Sequence, residues 1–166
     1  SVTTMNAMFK LTSSLTNLDL ASFNTSMVTN MSSMFYGASN LTNLNISSFD
    51  TSIVTNMNNM FQNTSALTSL NLSSFDTALV TNMNAMFKNS SSLTSLDLMS
   101  FDTANVTTMD SLFESTSSLT NLDVNNWDIN PIPSAVNIFT GANGGLLVFC
   151  TTGSLGQADF FGKSCN

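Results

Sequence analysis

Five sets of side chains in this sequence could do chemistry. Asp97 and Asp123 are two carboxylates at equivalent places in successive copies of a repeat. If equivalent residues stack one strand spacing (about 5 Å) apart, they approach the separation of a retaining glycosidase pair. Asn24, Asp50, Asp76, Asp102 and Asp128 form a longer column at the same step. Such a row could hold calcium, because closely spaced carboxylates repel one another unless a cation lies between them. Met5, Met31, Met57, Met83 and Met109 offer thioethers, which are soft copper ligands. Cys150 and Cys165 could form a disulfide. Finally, Asn17, Asp19, Asn43, Asn45, Ser69, Asn71, Ser95, Asp97, Asn121 and Asp123 supply short hydrogen-bonding groups at regular intervals.

Most of these sets have a simpler reading. The chain has no His and only 3 Lys+Arg, all of them Lys. It therefore lacks the commonest general base and the commonest oxyanion clamp. A repeat also brings any residue into such a pair, so Asp97 and Asp123 are not read as catalytic, and no enzyme is expected. Asp before Thr-Ser or Thr-Ala accepts backbone N–H bonds in an Asx turn, and Asn24 does this as well as Asp does. The glycine-rich calcium-repeat motif is absent. The Met column sits among Val and Phe, so it reads as core filling. No metal and no cofactor is expected.

The elements that position these groups come from an internal repeat. Val2, Val28, Val54, Val80 and Val106 open units of constant length, with no insertion or deletion between them. Phe9, Phe35, Phe61, Phe87, Phe113 and Phe139 keep the step, as do the Leu columns starting at Leu15 and Leu18. Phe23, Phe49, Phe75 and Phe101 lead to Trp127. Within a unit, Val54, Met57, Met60 and Phe61 recur at i, i+3, i+6 and i+7, the stripe of a short helix, with Thr51 and Ser52 as its caps. Leu70 and Leu72 alternate with polar residues, as a half-buried strand does. A strand and a helix this short bury their apolar faces only by stacking. The spacing therefore predicts an α/β, leucine-rich-repeat-like, right-handed solenoid with a parallel sheet on one face. It covers residues 1–139, and residues 140–166 form a C-terminal cap. There the strand Leu146–Cys150 is expected to be buried on both faces, and residues through Phe160 and Phe161 to close the end. The abrupt start at Val2 reads as a piece of a longer array whose first strand is an exposed edge, open to end-to-end association.

Composition narrows the function. Hydrophobic residues make up 42% and charged residues 8% of the chain, with a net charge of −7. Ser, Thr and Asn supply roughly two residues in five, far above ordinary globular usage. No basic patch is available for nucleic acid, and no apolar run matches a membrane span. A local Cys150–Cys165 disulfide in a Gly-rich tail would stabilise the cap by about 3 kcal/mol and point to an extracellular or cell-surface location.

The strings LTNLNISSFDTSIVTNMNNMF (residues 41–61) and LTSLNLSSFDTALVTNMNAMF (residues 67–87) resemble the repeat of BspA-like leucine-rich-repeat surface proteins. The likeness is to the subgroup with a Met-Phe signature found in Mycoplasma-type lipoproteins and bacterial adhesins. It spans residues 1 to about 140. Small residues (Thr12, Ala38, Thr64, Ser90 and Thr116) stand where that family often carries Cys. The resemblance implies a surface protein that binds host or neighbour-cell proteins or glycans. The ten polar strand residues named above are the expected ligand face. A different class is also consistent with the sequence: regular Thr columns, Thr16 to Thr120 and Thr29 to Thr107, resemble the arrays of ice-binding proteins.

Overall fold

Leu18 and Leu44 lie side by side in adjacent strands, because one repeat unit makes one turn of the chain. The register is Asn17↔Asn43, Leu18↔Leu44 and Asp19↔Asn45, all parallel. Residues 2–128 and 134–150 are described in this computed structural model, with two short strands beyond them. The strands are β1 (Asn17–Asp19), β2 (Asn43–Asn45), β3 (Ser95–Asp97), β4 (Asn121–Asp123), β5 (Leu147–Phe149), β6 (Asp159–Phe160) and β7 (Lys163–Ser164). β1 pairs with β2, and β3, β4 and β5 pair in that order, all parallel. β6 and β7 form an antiparallel hairpin, and β7 lies against β5. Coils 1 to 5 are counted here from Val2, Val28, Val54, Val80 and Val106, and coil 6 includes residues 134–150. A second parallel ladder runs up the other side, through Thr4, Asn30, Asn56, Asn82, Thr108 and Ser134.

The expected strand–helix unit does not form: among the described residues there is no helix. The segment read as helical is a train of tight turns. Met34, Tyr36 and Ala38 donate backbone N–H bonds of 3.1–3.2 Å to residues three back. The amides between them reach the next coil: Met31 to Asn56, Ser33 to Asn58, Phe35 to Met60 and Gly37 to Gln62, at 2.8–3.1 Å. A helix would keep all of these bonds within one segment. Two left-handed residues per coil enforce the alternation, such as Ser33 (φ 57) with Gly37 (φ 70) and Asn59 (φ 58) with Asn63 (φ 63). The three-residue pitch of these turns reproduces the i, i+3 spacing that suggested a helix. The α/β leucine-rich-repeat-like solenoid is therefore replaced by stacked coils of strand and turn.

This backbone sets a test. In a helix, Gly is worse than Val, whereas at positive φ a β-branched residue is the strained one. Asn59→Val is expected to lose about 2 kcal/mol in urea denaturation and Asn59→Gly to stay within about 0.5 kcal/mol of wild type. The reverse order would restore the helix.

The core is a set of continuous columns. Phe9, Phe35, Phe61, Phe87, Phe113 and Phe139 stack with centroids 5.5–5.8 Å apart and rings within 10° of parallel. Phe49, Phe75, Phe101 and Trp127 form a second column at 6.4–6.5 Å. The Met column is buried from Met5 to Met109, beside these rings. Thr25, Thr51, Thr77 and Thr103 are buried as well. Each hydroxyl donates to the backbone carbonyl of the Asp in the next coil and accepts that residue's N–H. For Thr51 and Asp76 both contacts are short, at 2.7 and 2.8 Å. Thr51 was expected to cap a helix; instead it fastens one coil to the next.

The ends differ from expectation in one respect. β5 buries Val148 but leaves Leu147 46% exposed, so this strand is covered on one face only. At the other end β1 pairs with β2 alone, and Val2, Met8 and Leu11 of the same coil are exposed.

Candidate functional site

The face carrying β1 to β4 is built by alternation. Leu18, Leu44, Leu70, Leu96 and Leu122 point into the coils, so the residues on either side of each point out. Asn17, Asp19, Asn43, Asn45, Ser69, Asn71, Ser95, Asp97 and Asn121 are exposed, and Asp123 is half-buried. The structure thus brings the ten sequence-predicted residues into two rows. Each row advances one coil per repeat unit, with Ser95↔Asn121 and Asp97↔Asp123 directly paired.

The two rows do different work. In the row from Asp19 to Asp123, each Oδ1 accepts the backbone N–H two residues on, at 3.0–3.2 Å, closing the turn that ends the strand. These side chains are held rigidly. Asn45 Nδ2 also donates to Asp19 Oδ1 at 3.0 Å. In the row from Asn17 to Asn121 no such backbone role exists, and Asn43 Nδ2 donates to Asn17 Oδ1 at 2.6 Å. Ser69 makes no side-chain bond among the described residues.

The face is not uniform. A shallow groove of about 350 Å³ lies over coils 1 to 3, lined by both rows together with Leu18, Thr42 and Leu44. Its floor is open, because Leu18 and Leu44 are only half-buried while Leu96 and Leu122, further along the same column, are 3% and 0% exposed. The sheet is also interrupted here. Leu20, Leu98 and Val124 donate N–H bonds of 2.8–2.9 Å to the next coil, but Ile46 and Leu72 in the same column do not. Hence Ser69–Leu70–Asn71 is not a strand. Sequence reasoning missed Leu18, Leu44 and Thr42 as groove residues, since the unbroken Leu column carries no sign of differing burial.

The other candidate sets are placed as follows. The carboxylates of Asp97 and Asp123 each close their own turn, and neither lines a groove formed by the described residues. Oδ1 of Asn24, Asp50, Asp76 and Asp102 accepts the amide two residues on, at 2.9–3.1 Å. Among the described residues no group of three or more His, Cys, Asp or Glu could hold a metal ion. Cys150 is half-buried and disulfide-bonded; its expected partner, Cys165, lies outside the described residues. Among the described residues no helix is long and apolar enough to cross a membrane.

Two carboxylates have shifted acidity. The Ser52 hydroxyl and backbone N–H donate to Asp50 and hold its carboxyl below its ordinary range. Hydrogen bonds from Lys88 and Ser111, and the charge of Lys88, do the same for Glu114, whose ion pair with Lys88 is 2.8 Å. A depressed folded-state pKa contributes stability at neutral pH that disappears as pH falls through it. NMR titration should therefore place the Asp50 midpoint lower in the wild type than in Ser52→Ala; equal midpoints would contradict the assignment.

Residues 1–67 and 39–145 match the family described as "Mycoplasma protein of unknown function, DUF285". The chain belongs to the DUF285 family. The match covers the stacked coils and most of β5's coil, so the repeat unit described above is the DUF285 repeat as this chain folds it. Membership of this repeat-containing family suggests a cell-surface location. No curated protein and no solved structure matches the chain.

Proposed function

We propose that this DUF285 chain is an extracellular, non-enzymatic adhesion module of the BspA-like type, and that its strand face is the ligand surface. The observation that carries this reading is the pair of polar rows, ten side chains on one face, eight of them in register on paired strands. Half of them are fixed by bonds to their own backbone, which lowers the entropy lost on binding. The absence of His and Arg from the sequence supports a binding role over a catalytic one. The disulfide at Cys150 supports an oxidising compartment.

The Thr columns favour ice binding less. Hydroxyls of Thr29, Thr55, Thr81 and Thr107 donate to backbone carbonyls of the preceding coil at 2.9–3.3 Å, as do those of Thr42, Thr94 and Thr120 at 3.0–3.4 Å. Their protons serve coil stacking.

The test compares wild type with a triple variant, Asn43→Lys, Ser95→Lys and Asn121→Lys, on immobilised matrix proteins and cell-surface glycans. Binding is expected to fall about tenfold or more with the melting temperature unchanged. Undiminished binding would move the ligand to the turn side or the cap. Thermal hysteresis with no adhesive binding would replace this reading with the ice-binding one.

A further inference from the structure

The strand face is graded from one end to the other. Over coils 1 to 3 the floor is half-open leucine and the walls are amides and hydroxyls with one carboxylate, Asp19. Over coils 4 and 5 the floor is closed and both Asp97 and Asp123 stand on the wall. A ligand that prefers the first region needs an apolar side to rest on Leu18 and Leu44. It also needs hydrogen-bonding groups along both edges. We propose that the groove over coils 1 to 3 is a subsite for an uncharged oligosaccharide, with the apolar face of a sugar ring on Leu18 and Leu44 and its hydroxyls between the two rows. This proposal rests on the strand-face reading above and narrows it to one region and one ligand class.

Charge and hydrogen-bond capacity decide the class. The one carboxylate in the groove is already engaged, since Asp19 Oδ1 accepts from both Asn45 Nδ2 and the Ala21 N–H. No Lys lines the groove and the chain has no Arg, so a sialic acid carboxylate or a sulfate would meet no counter-charge in a chain of net charge −7. Protein partners are usually anchored by exposed Trp, Tyr or Arg, and none of these lines the groove. What the walls do offer is unused and mixed. Asn43 Oδ1 can accept, Asn71 Nδ2 can donate, and the Ser69 hydroxyl can do either. Sugar hydroxyls need that mixture. Asn17 and Asn43 are already tied to each other, so the wall is preformed. The N–H groups of Ile46 (coil 2) and Leu72 (coil 3) make no backbone bond to the next coil, although the Thr94 N–H still reaches the Thr68 carbonyl at 3.2 Å, so the sheet is least bonded where the groove lies.

The experiment measures binding of the intact chain to immobilised oligosaccharides ending in galactose, N-acetylglucosamine or mannose, with sialylated and sulfated counterparts and deglycosylated matrix proteins beside them. Ser69→Arg fills the groove, and Asn121→Arg places the same charge on coil 5. The expected result is binding to a neutral series that falls about tenfold in Ser69→Arg, falls clearly less in Asn121→Arg at the far end of the strand face, and leaves both melting temperatures at the wild-type value. Equal loss in both variants would remove the groove and keep the strand face. Preference for sialylated or sulfated sugars, or for deglycosylated protein, would remove the ligand class while the adhesive reading stands. Binding that neither variant weakens, or no binding to any probe, would overturn this proposal and the strand-face reading together.

Discussion

Replacing Thr77 by Val is expected to destabilise the protein by about 3 kcal/mol without creating a cavity. The two side chains have nearly the same shape, so the loss isolates one hydroxyl. Thr77 is 1% exposed, its Oγ1 donates to the Asp102 carbonyl at 2.8 Å, and it accepts the Asp102 N–H at 2.8 Å. Val makes neither bond and leaves a backbone donor and a backbone acceptor of Asp102 without their part-buried partner, at up to about 1–3 kcal/mol each. Thr77→Ser keeps both bonds and loses one methyl, for about 1 kcal/mol. Urea denaturation of the three proteins measures the difference. Hydrogen exchange at the Asp102 amide should accelerate in the Val variant and not in the Ser variant. If Thr77 were a helix cap, Val would lose only about 1 kcal/mol and the Asp102 amide would be unaffected.

Phe61→Ala is the second large effect, a loss of about 4–5 kcal/mol. The side chain is fully buried and stacks on Phe35 at 5.5 Å and on Phe87 at 5.8 Å. Truncating a buried Phe costs about 3–5 kcal/mol, and each ring contact adds about 0.5–1.5 kcal/mol beyond burial. In a domain of this size that lowers the melting temperature by roughly 10–15 °C. Phe9 has one ring neighbour, Phe35, and is only half-buried, so Phe9→Ala is expected to lose about half as much. Calorimetry of both variants checks the ratio. Equal losses would mean that the Phe column does not carry the coil-to-coil contact.

Much of this was legible in the residues because a repeat multiplies every signal. The Phe, Met and Leu columns predicted core rows one coil apart, and those rows formed. Alternation about Leu18 and Leu44 predicted which side chains face out, and they do. The helix was not legible as absent. Val54, Met57, Met60 and Phe61 face inward from a turn train with nearly the pitch of a helix face, and the positions with positive φ carry Ala, Ser and Asn as freely as Gly. The Thr25 to Thr103 column could have been found: Thr at every one of those positions, directly after Asn or Asp, is more regular than a cap requires. The break at coil 3 had no signal, since Ser69, Leu70 and Asn71 are the same kinds of residue as their neighbours above and below.

The two hydrogen-bond ladders and the two ring columns share a single step, the length of one unit, and that has a genetic consequence. Inserting or deleting one residue inside a coil would put that coil out of phase with its neighbours in both ladders and both ring columns, although the coils beyond it keep their step with one another. Adding or removing a whole unit would recreate the same interfaces, one layer longer or shorter by about 4.8 Å. A gene of this kind can change the reach of its product by unequal crossing-over between units, in whole layers and without a poorly folded intermediate.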